Sequence, residues 1–156
     1  MISIGVIGYG YWGPNIVRNF HQVKGAHILT VCDKNSNTLK EIPEKYPTIT
    51  CTTDYLDIIN NPKIDVVAIV TPVSSHFKLA KEALLAGKHV FIEKPMTRTS
   101  QEAKELIELA HKKDRLVMVD YPFLFTGAVR KMKEIPRPFV CFEVEYSFNT
   151  HIPPLF

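Results

Sequence analysis

The chain has 156 residues, 46% of them hydrophobic and 22% charged, the balance of one ordinary soluble, globular domain and not of a disordered tail. At this length folding buries roughly 68–70% of the surface the unfolded chain exposes, so a core forms without disulfides or a structural metal. Lys and Arg number 19 against 16 Asp and Glu, a net charge of +3, and outside Lys112-Lys113 and Arg130 to Lys133 the basic residues are scattered, which excludes nucleic acid as the main partner because that needs a concentrated basic face.

Met1 to Ile7 reads straight into a strand, with no basic leader and no signal core. No apolar run approaches the ~20 residues that span a bilayer. A cytoplasmic protein without a membrane partner is expected. Cys32, Cys51 and Cys141 are far apart and free of C-x-x-C spacing, which suits buried thiols in a reducing compartment. No two histidines stand at i and i+4, so no helical metal pair is expected.

Short apolar runs alternate with helical patterns along the chain, which predicts β-α-β units and an α/β fold with a doubly wound parallel sheet. The first strand is expected near Ile2 to Ile7. Directly after it stands Gly8-Tyr9-Gly10-Tyr11-Trp12-Gly13, a G-x-G-x-x-G, with a helix predicted from about Pro14. In that context the first glycine permits the tight turn, the second lets backbone approach a pyrophosphate, and the third lets helix and strand pack closely. The amides and the positive dipole end of the helix then face phosphates. The alternative is a glycine turn without a ligand.

The second strand is expected near His27 to Cys32 and is closed by Asp33, 20 residues beyond Gly13. A dinucleotide fold puts there the carboxylate that holds the adenosine ribose hydroxyls. A carboxylate repels a 2′-phosphate, which favours NAD over NADP, although Lys34 and Asn35 beside it leave NADP open. Asp33 can equally start a turn, and a methyltransferase using S-adenosylmethionine shows a similar loop and acid. Pro43 and Pro47 restrict any helix before the third strand, near Ile49 to Thr52, to a short one.

The fourth strand is expected near Ile64 to Val70, its continuous apolar run suiting burial on both faces. Thr71-Pro72 ends it and His76 opens a helix to Ala86, with Phe77, Ala80, Ala83 and Leu84 on one face and Gly87 as the left-handed cap. The fifth strand, near His89 to Ile92, ends in Glu93-Lys94-Pro95. Both strand ends fall on the carboxyl edge of the sheet, where ligands bind. Glu93 can hold the nicotinamide-side ribose, and Lys94 can donate to a substrate hydroxyl or share in its proton transfer; an exposed Glu-Lys pair before a proline turn is the plain alternative. Thr99 and Glu102 predict a capping box for a helix with Ala103, Leu106, Ile107 and Ala110 as its core stripe. The last strand of the sheet is expected near Leu116 to Val119.

Beyond it prolines crowd the chain, with a helix expected from about Gly127 to Ile135 and then one strand, Phe139 to Phe148. That strand alternates Val140, Phe142, Val144, Tyr146 and Phe148 with polar residues and requires an antiparallel sheet that nothing else in the chain supplies.

These motifs, Gly8 to Asn15, Thr71-Pro72 with His76, Ala86-Gly87-Lys88-His89-Val90 and above all Glu93-Lys94-Pro95-Met96, resemble the Gfo/Idh/MocA family of NAD(P)-dependent sugar dehydrogenases, in order over Ile2 to about Val119. The resemblance implies a Rossmann domain over residues 1–121 with strand order 3-2-1-4-5-6. In it Gly8, Gly10 and Gly13, with Tyr11 and Trp12 between them, hold the diphosphate, and Asp33 holds the adenine-side ribose. Thr71, Pro72 and His76 take the middle and nicotinamide portions of NAD, joined by Glu93 and Pro95. Lys94, the one catalytic candidate, meets the reacting end of a sugar or cyclitol. The branch acting on nucleotide-linked sugars is the nearest in pattern, through Phe123-Leu124-Phe125 and Ala128 to Lys131, but Asp120-Tyr121 stands where that branch has Gly-His and Thr126-Gly127 where it has Asn-Pro. Family members continue into a second domain with a mainly antiparallel sheet and a catalytic histidine, so residues 122–156 are expected to be a remnant of it and the chain to be catalytically incomplete, His151 matching no such role. The other function class is a binding module whose strand pairs with a second copy, as a homodimer, or with a separate substrate-domain chain.

Overall fold

A continuous apolar strand places alternate side chains on opposite faces, so both faces must be covered. In the computed structural model, which describes residues 1–134, β4 (Val66–Ile69) meets this demand: Val67 and Ile69 are buried in one apolar layer and Ala68 in the other. β1 (Ile2–Ile7) divides likewise, with Ile4 and Val6 on one side and Ile7 on the other.

The six strands pair in parallel throughout, in the order β3-β2-β1-β4-β5-β6, the doubly wound Rossmann arrangement. β2 is Ala26–Cys32, β3 Thr50–Thr52, β5 His89–Glu93 and β6 Val117–Asp120. The chain winds outward from β1 in both directions, so the carboxyl ends of β1 and β4 open a crevice where the winding reverses.

Helices cover the two faces. α1 (Gly13–Gln22) buries Ile16 and Val17 in the layer that also holds Ile42 of the four-residue α2 (Ile42–Lys45). α4 (His76–Leu85) and α5 (Ser100–Lys113) cover the other face with Ala80, Ala83, Leu84, Leu106 and Ala110. α4 ends as its sequence predicts: Gly87 has φ +76°, its N–H donates to the Leu84 carbonyl, and the Lys88 N–H donates to that of Ala83, a Schellman closure. The Lys88 side chain is buried, and its ammonium donates to the Asn61 and Ile64 carbonyls at 2.7 and 2.8 Å.

Two local expectations need correction, and one helix is unannounced. Ile107 is 47% exposed, because the stripe of α5 that meets the sheet is narrower than the apolar residues suggest. The capping box at α5 is displaced by one residue: the Thr99 hydroxyl accepts the Glu102 N–H, but the Glu102 carboxylate accepts from Arg98 and not from Thr99. α3 (Leu56–Ile59), which no periodicity announces, inserts Ile58 beneath β1. A Cβ at Gly5 would stand 2.5 Å from Ile58, so that glycine makes room for α3.

The chain divides between Tyr121 and Pro122 into two units. In the second, Pro122–Phe125 forms a 3-10 turn and α6 spans Gly127–Glu134. The predicted strand Phe139 to Phe148, and His151 after it, lie outside the described residues. Among the described residues no helix is long and apolar enough to cross a membrane.

Candidate functional site

The turn between β1 and α1 needs three glycines for three different reasons. Gly8 has φ +102°, a conformation that side chains disfavour, and a Cβ there would stand 2.6 Å from the Val70 carbonyl oxygen. At Gly13 a Cβ would stand 2.7 Å from the Gly8 carbonyl oxygen, so only glycine lets the helix start this close to the strand. Gly10 is the opposite case. A Cβ there meets nothing within 4 Å, and the residue borders a crevice of about 430 Å³. What Gly10 leaves bare is open space in front of the backbone, as a close-approaching ligand requires.

The N–H groups of Gly10, Tyr11, Trp12 and Gly13 meet no acceptor among the described residues, and α1 has no acidic side chain in its first turn and Pro14 at its start. The helix end therefore presents free donors and a positive dipole end. Tyr11 is 95% exposed and Trp12 44%, their rings stacked at 6.5 Å.

Asp33 faces this loop from the end of β2. Its Oδ2 accepts the Tyr9 N–H at 2.7 Å and its Oδ1 the Asn35 N–H at 2.8 Å. Asp33 thus starts a turn and ties down the glycine loop, and each oxygen keeps a lone pair for a further donor. Cys32 beside it borders the same crevice, but burial, reinforced by Asp33, pushes its thiol up to about 11. It is no nucleophile at neutral pH.

The opposite wall is Val70, Thr71 and Pro72 with the 3-10 turn Val73–Ser75. The Ser75 hydroxyl stands 2.7 Å from that of Thr71 and 2.8 Å from the Pro72 carbonyl, fixing the turn. His76 behaves differently from its neighbours: it is 1% exposed, and its two ring nitrogens lie 2.9 Å from the Pro95 carbonyl oxygen and 2.7 Å from that of Thr71. Both nitrogens are engaged with backbone, so the ring joins the two loops from behind instead of reaching into the crevice.

Gly8, Gly10, Asp33, Thr71 and Pro72 therefore border one cavity, while Tyr11, Trp12 and Gly13 continue its loop. Glu93, Lys94 and Pro95 stand at the adjacent end of β5 and do not border it. Lys94 is exposed and precedes a cis proline. Its N–H donates to Glu93 Oε2 at 3.2 Å. Burial, and then the neighbouring Asp120 carboxyl, push the Glu93 carboxyl up to about 7, with Lys94 pulling the other way. Sequence reasoning missed Tyr55 and Lys78, whose ammonium stands 5.7 Å from the Tyr55 ring centre at the cavity mouth. Lys78, two residues past His76 in the first turn of α4, could have been found from its position; Tyr55 follows the short β3 and carries no such signal.

The model of the Gfo/Idh/MocA family, described as an oxidoreductase family with an NAD-binding Rossmann fold, matches residues 2–121. A "Glycosyl hydrolase family 109 protein 2" of Shewanella sp. (strain ANA-3) is 34% identical over 127 residues, 76% of this chain and 28% of that protein. A myo-inositol 2-dehydrogenase of Thermotoga maritima is 28% identical over 133 residues, 85% of this chain and 40% of that one. Among solved structures, biliverdin reductase from Synechocystis sp. PCC 6803, in complex with biliverdin and NADP+, superposes with a TM-score of 0.78 at 26% identity, covering 85% of this chain and 42% of that one. The chain thus spans less than half the length of each of these relatives. With the glycine turn, the β3-β2-β1-β4-β5-β6 sheet and the family match all falling on the same 120 or so residues, the chain belongs to the Gfo/Idh/MocA oxidoreductase family and carries its NAD(P)-binding Rossmann domain.

Proposed function

We propose that residues 1–121 hold NAD in the crevice between the glycine loop and the Thr71–Pro72 turn, and serve hydride transfer to or from a carbon that bears a hydroxyl group on a sugar or cyclitol. The observation that carries this reading is the pairing of an open backbone at Gly10 with the Asp33 carboxylate across from it. The free amides from Gly10 to Gly13 suit a diphosphate, and the two spare lone pairs of Asp33 suit the 2′- and 3′-hydroxyls of an adenosine ribose. A 2′-phosphate would bring negative charge against that carboxylate, which favours NAD over NADP. The bound nicotinamide supplies the hydride chemistry. The chain supplies position, a loop held from behind by His76, and in Lys94 an exposed ammonium to orient the substrate hydroxyl and take part in moving its proton.

A cyclitol or sugar is favoured by the inositol dehydrogenase among the relatives and by the polar Lys94 edge. We assign residues 122–156 to the start of a substrate and oligomerisation region, whose predicted strand, Phe139 to Phe148, would pair with a further strand, such as that of a second copy or of a substrate-domain chain. We further propose that the chain alone binds NAD without sustained NADH production from myo-inositol.

Trp12 is the sole tryptophan and lies in the glycine loop, so its fluorescence reports the test. Titration with NAD should quench it saturably, and NADP should need a clearly higher concentration. Equal or tighter binding of NADP would reverse the nucleotide assignment, and steady NADH production would show that Lys94 and this chain suffice.

A further inference from the structure

β5 and β6 end in register, with Glu93 directly beside Asp120. Parallel neighbours in register point to the same face of a sheet, so two carboxyl groups meet at its carboxyl edge. Both residues are half-buried. Glu93 Oε2 has the Lys94 N–H, whereas Oε1 is buried without a hydrogen-bond donor among the described residues. Two adjacent carboxylates cannot both ionise cheaply, and one proton between them removes the repulsion while giving the bare oxygen a hydrogen bond.

We propose that Glu93 and Asp120 share one proton, and that its loss makes the sheet edge at β5 and β6, beside the crevice, favour the oxidised, cationic dinucleotide over the reduced one; this rests on the dinucleotide reading above. In a doubly wound sheet each half serves one mononucleotide. Asp33 on β2 marks the adenosine half, which leaves β4 to β6 for the nicotinamide. Besides Asp120, the charged group acting on Glu93 is Lys94 on the turn after β5, while His76 of α4 faces the Pro95 carbonyl. With one shared proton, the pair and the Lys94 ammonium sum to zero charge. Without it they sum to −1. The oxidised nicotinamide ring carries a positive charge that the reduced ring lacks, so the added charge acts on one form only. The rise of the Glu93 carboxyl to about 7, caused first by burial and then by Asp120, puts the change at neutral pH.

The test is equilibrium titration of the full chain with NAD and with NADH at pH 6 and pH 8. The ratio of the NADH Kd to the NAD Kd should rise about fivefold or more between the two pH values, and Asp120→Asn or Glu93→Gln should hold that rise to less than about twofold. A measurement that needs no variant is calorimetry at pH 7 in two buffers of different ionisation heat, where NAD binding should release a fraction of a proton and NADH binding none. A flat ratio with both nucleotides bound would overturn the proposal. So would a pH dependence that survives in Asp120→Asn. If neither nucleotide binds at either pH, the dinucleotide reading itself falls, and this proposal with it.

Discussion

The Tyr9 N–H donates to Oδ2 of Asp33 at 2.7 Å, so the residue between the first two glycines of the loop is held by the carboxylate that closes β2. One side chain therefore shapes the loop and faces the crevice. Asp33→Ala should lower NAD affinity about tenfold to a hundredfold, since hydrogen bonds to a charged group contribute ~1.5–3 kcal/mol. Asp33→Asn, which still accepts the Tyr9 N–H, should keep the loop in place yet narrow the preference for NAD over NADP. Trp12 fluorescence titrations of both variants with both nucleotides check this.

Gly8 and Gly10 should respond in opposite ways. Gly8→Ala forces a side chain into a positive φ and against the Val70 carbonyl, and should destabilise the fold by about 2–4 kcal/mol, measured by urea unfolding. Gly10→Val puts its Cβ where no protein atom lies within 4 Å. It should unfold close to the parent and lose nucleotide binding, because its side chain occupies the space before the amides.

His76→Ala would take away the ring that lies between the Pro95 and Thr71 carbonyls and donates its N–H there, and leave a cavity under α4. A loss of about 2–3 kcal/mol in urea unfolding is expected. His76→Asn can satisfy one carbonyl and should recover part of it. Amide hydrogen exchange should show the Thr71 and Lys94 loops loosened together, since one ring holds both.

Glu93 makes stability depend on pH. Its ordinary value is 4.5 and its folded value about 7, so between these the folded chain holds a proton that the unfolded chain has lost. The contribution of Glu93 is full below that window and is lost as pH rises through it. Glu93→Gln cannot ionise and should unfold about 1 kcal/mol harder than the parent at pH 8, after discount for solvent screening, with almost no gain at pH 4. Thermal unfolding across that range reads the difference directly.

Much of this was legible because period and position carry it. The alternation of apolar runs with helical stripes gave the sheet, and G-x-G-x-x-G followed by Asp33 marked the crevice, since each glycine answers a backbone demand that sequence spacing reports. What stayed hidden depends on contacts between distant segments. His76 reads as a crevice residue from its place at the start of α4, but only the packed fold shows its ring between two carbonyls. Ile107 continues the stripe of α5 in the sequence, yet it lies largely exposed, outside the narrower face that meets the sheet. The meeting of Glu93 with Asp120 depends on the register of β5 against β6, which no local pattern encodes. Tyr55 gains its place from α3, a single turn too short to leave a period.

The most direct measurement is a crystal structure of the chain grown with millimolar NAD. A diphosphate should lie against the Gly10 to Gly13 amides, with ribose hydroxyls on Asp33. An empty crevice with an open mouth, or a nucleotide bound elsewhere on the chain, would contradict it.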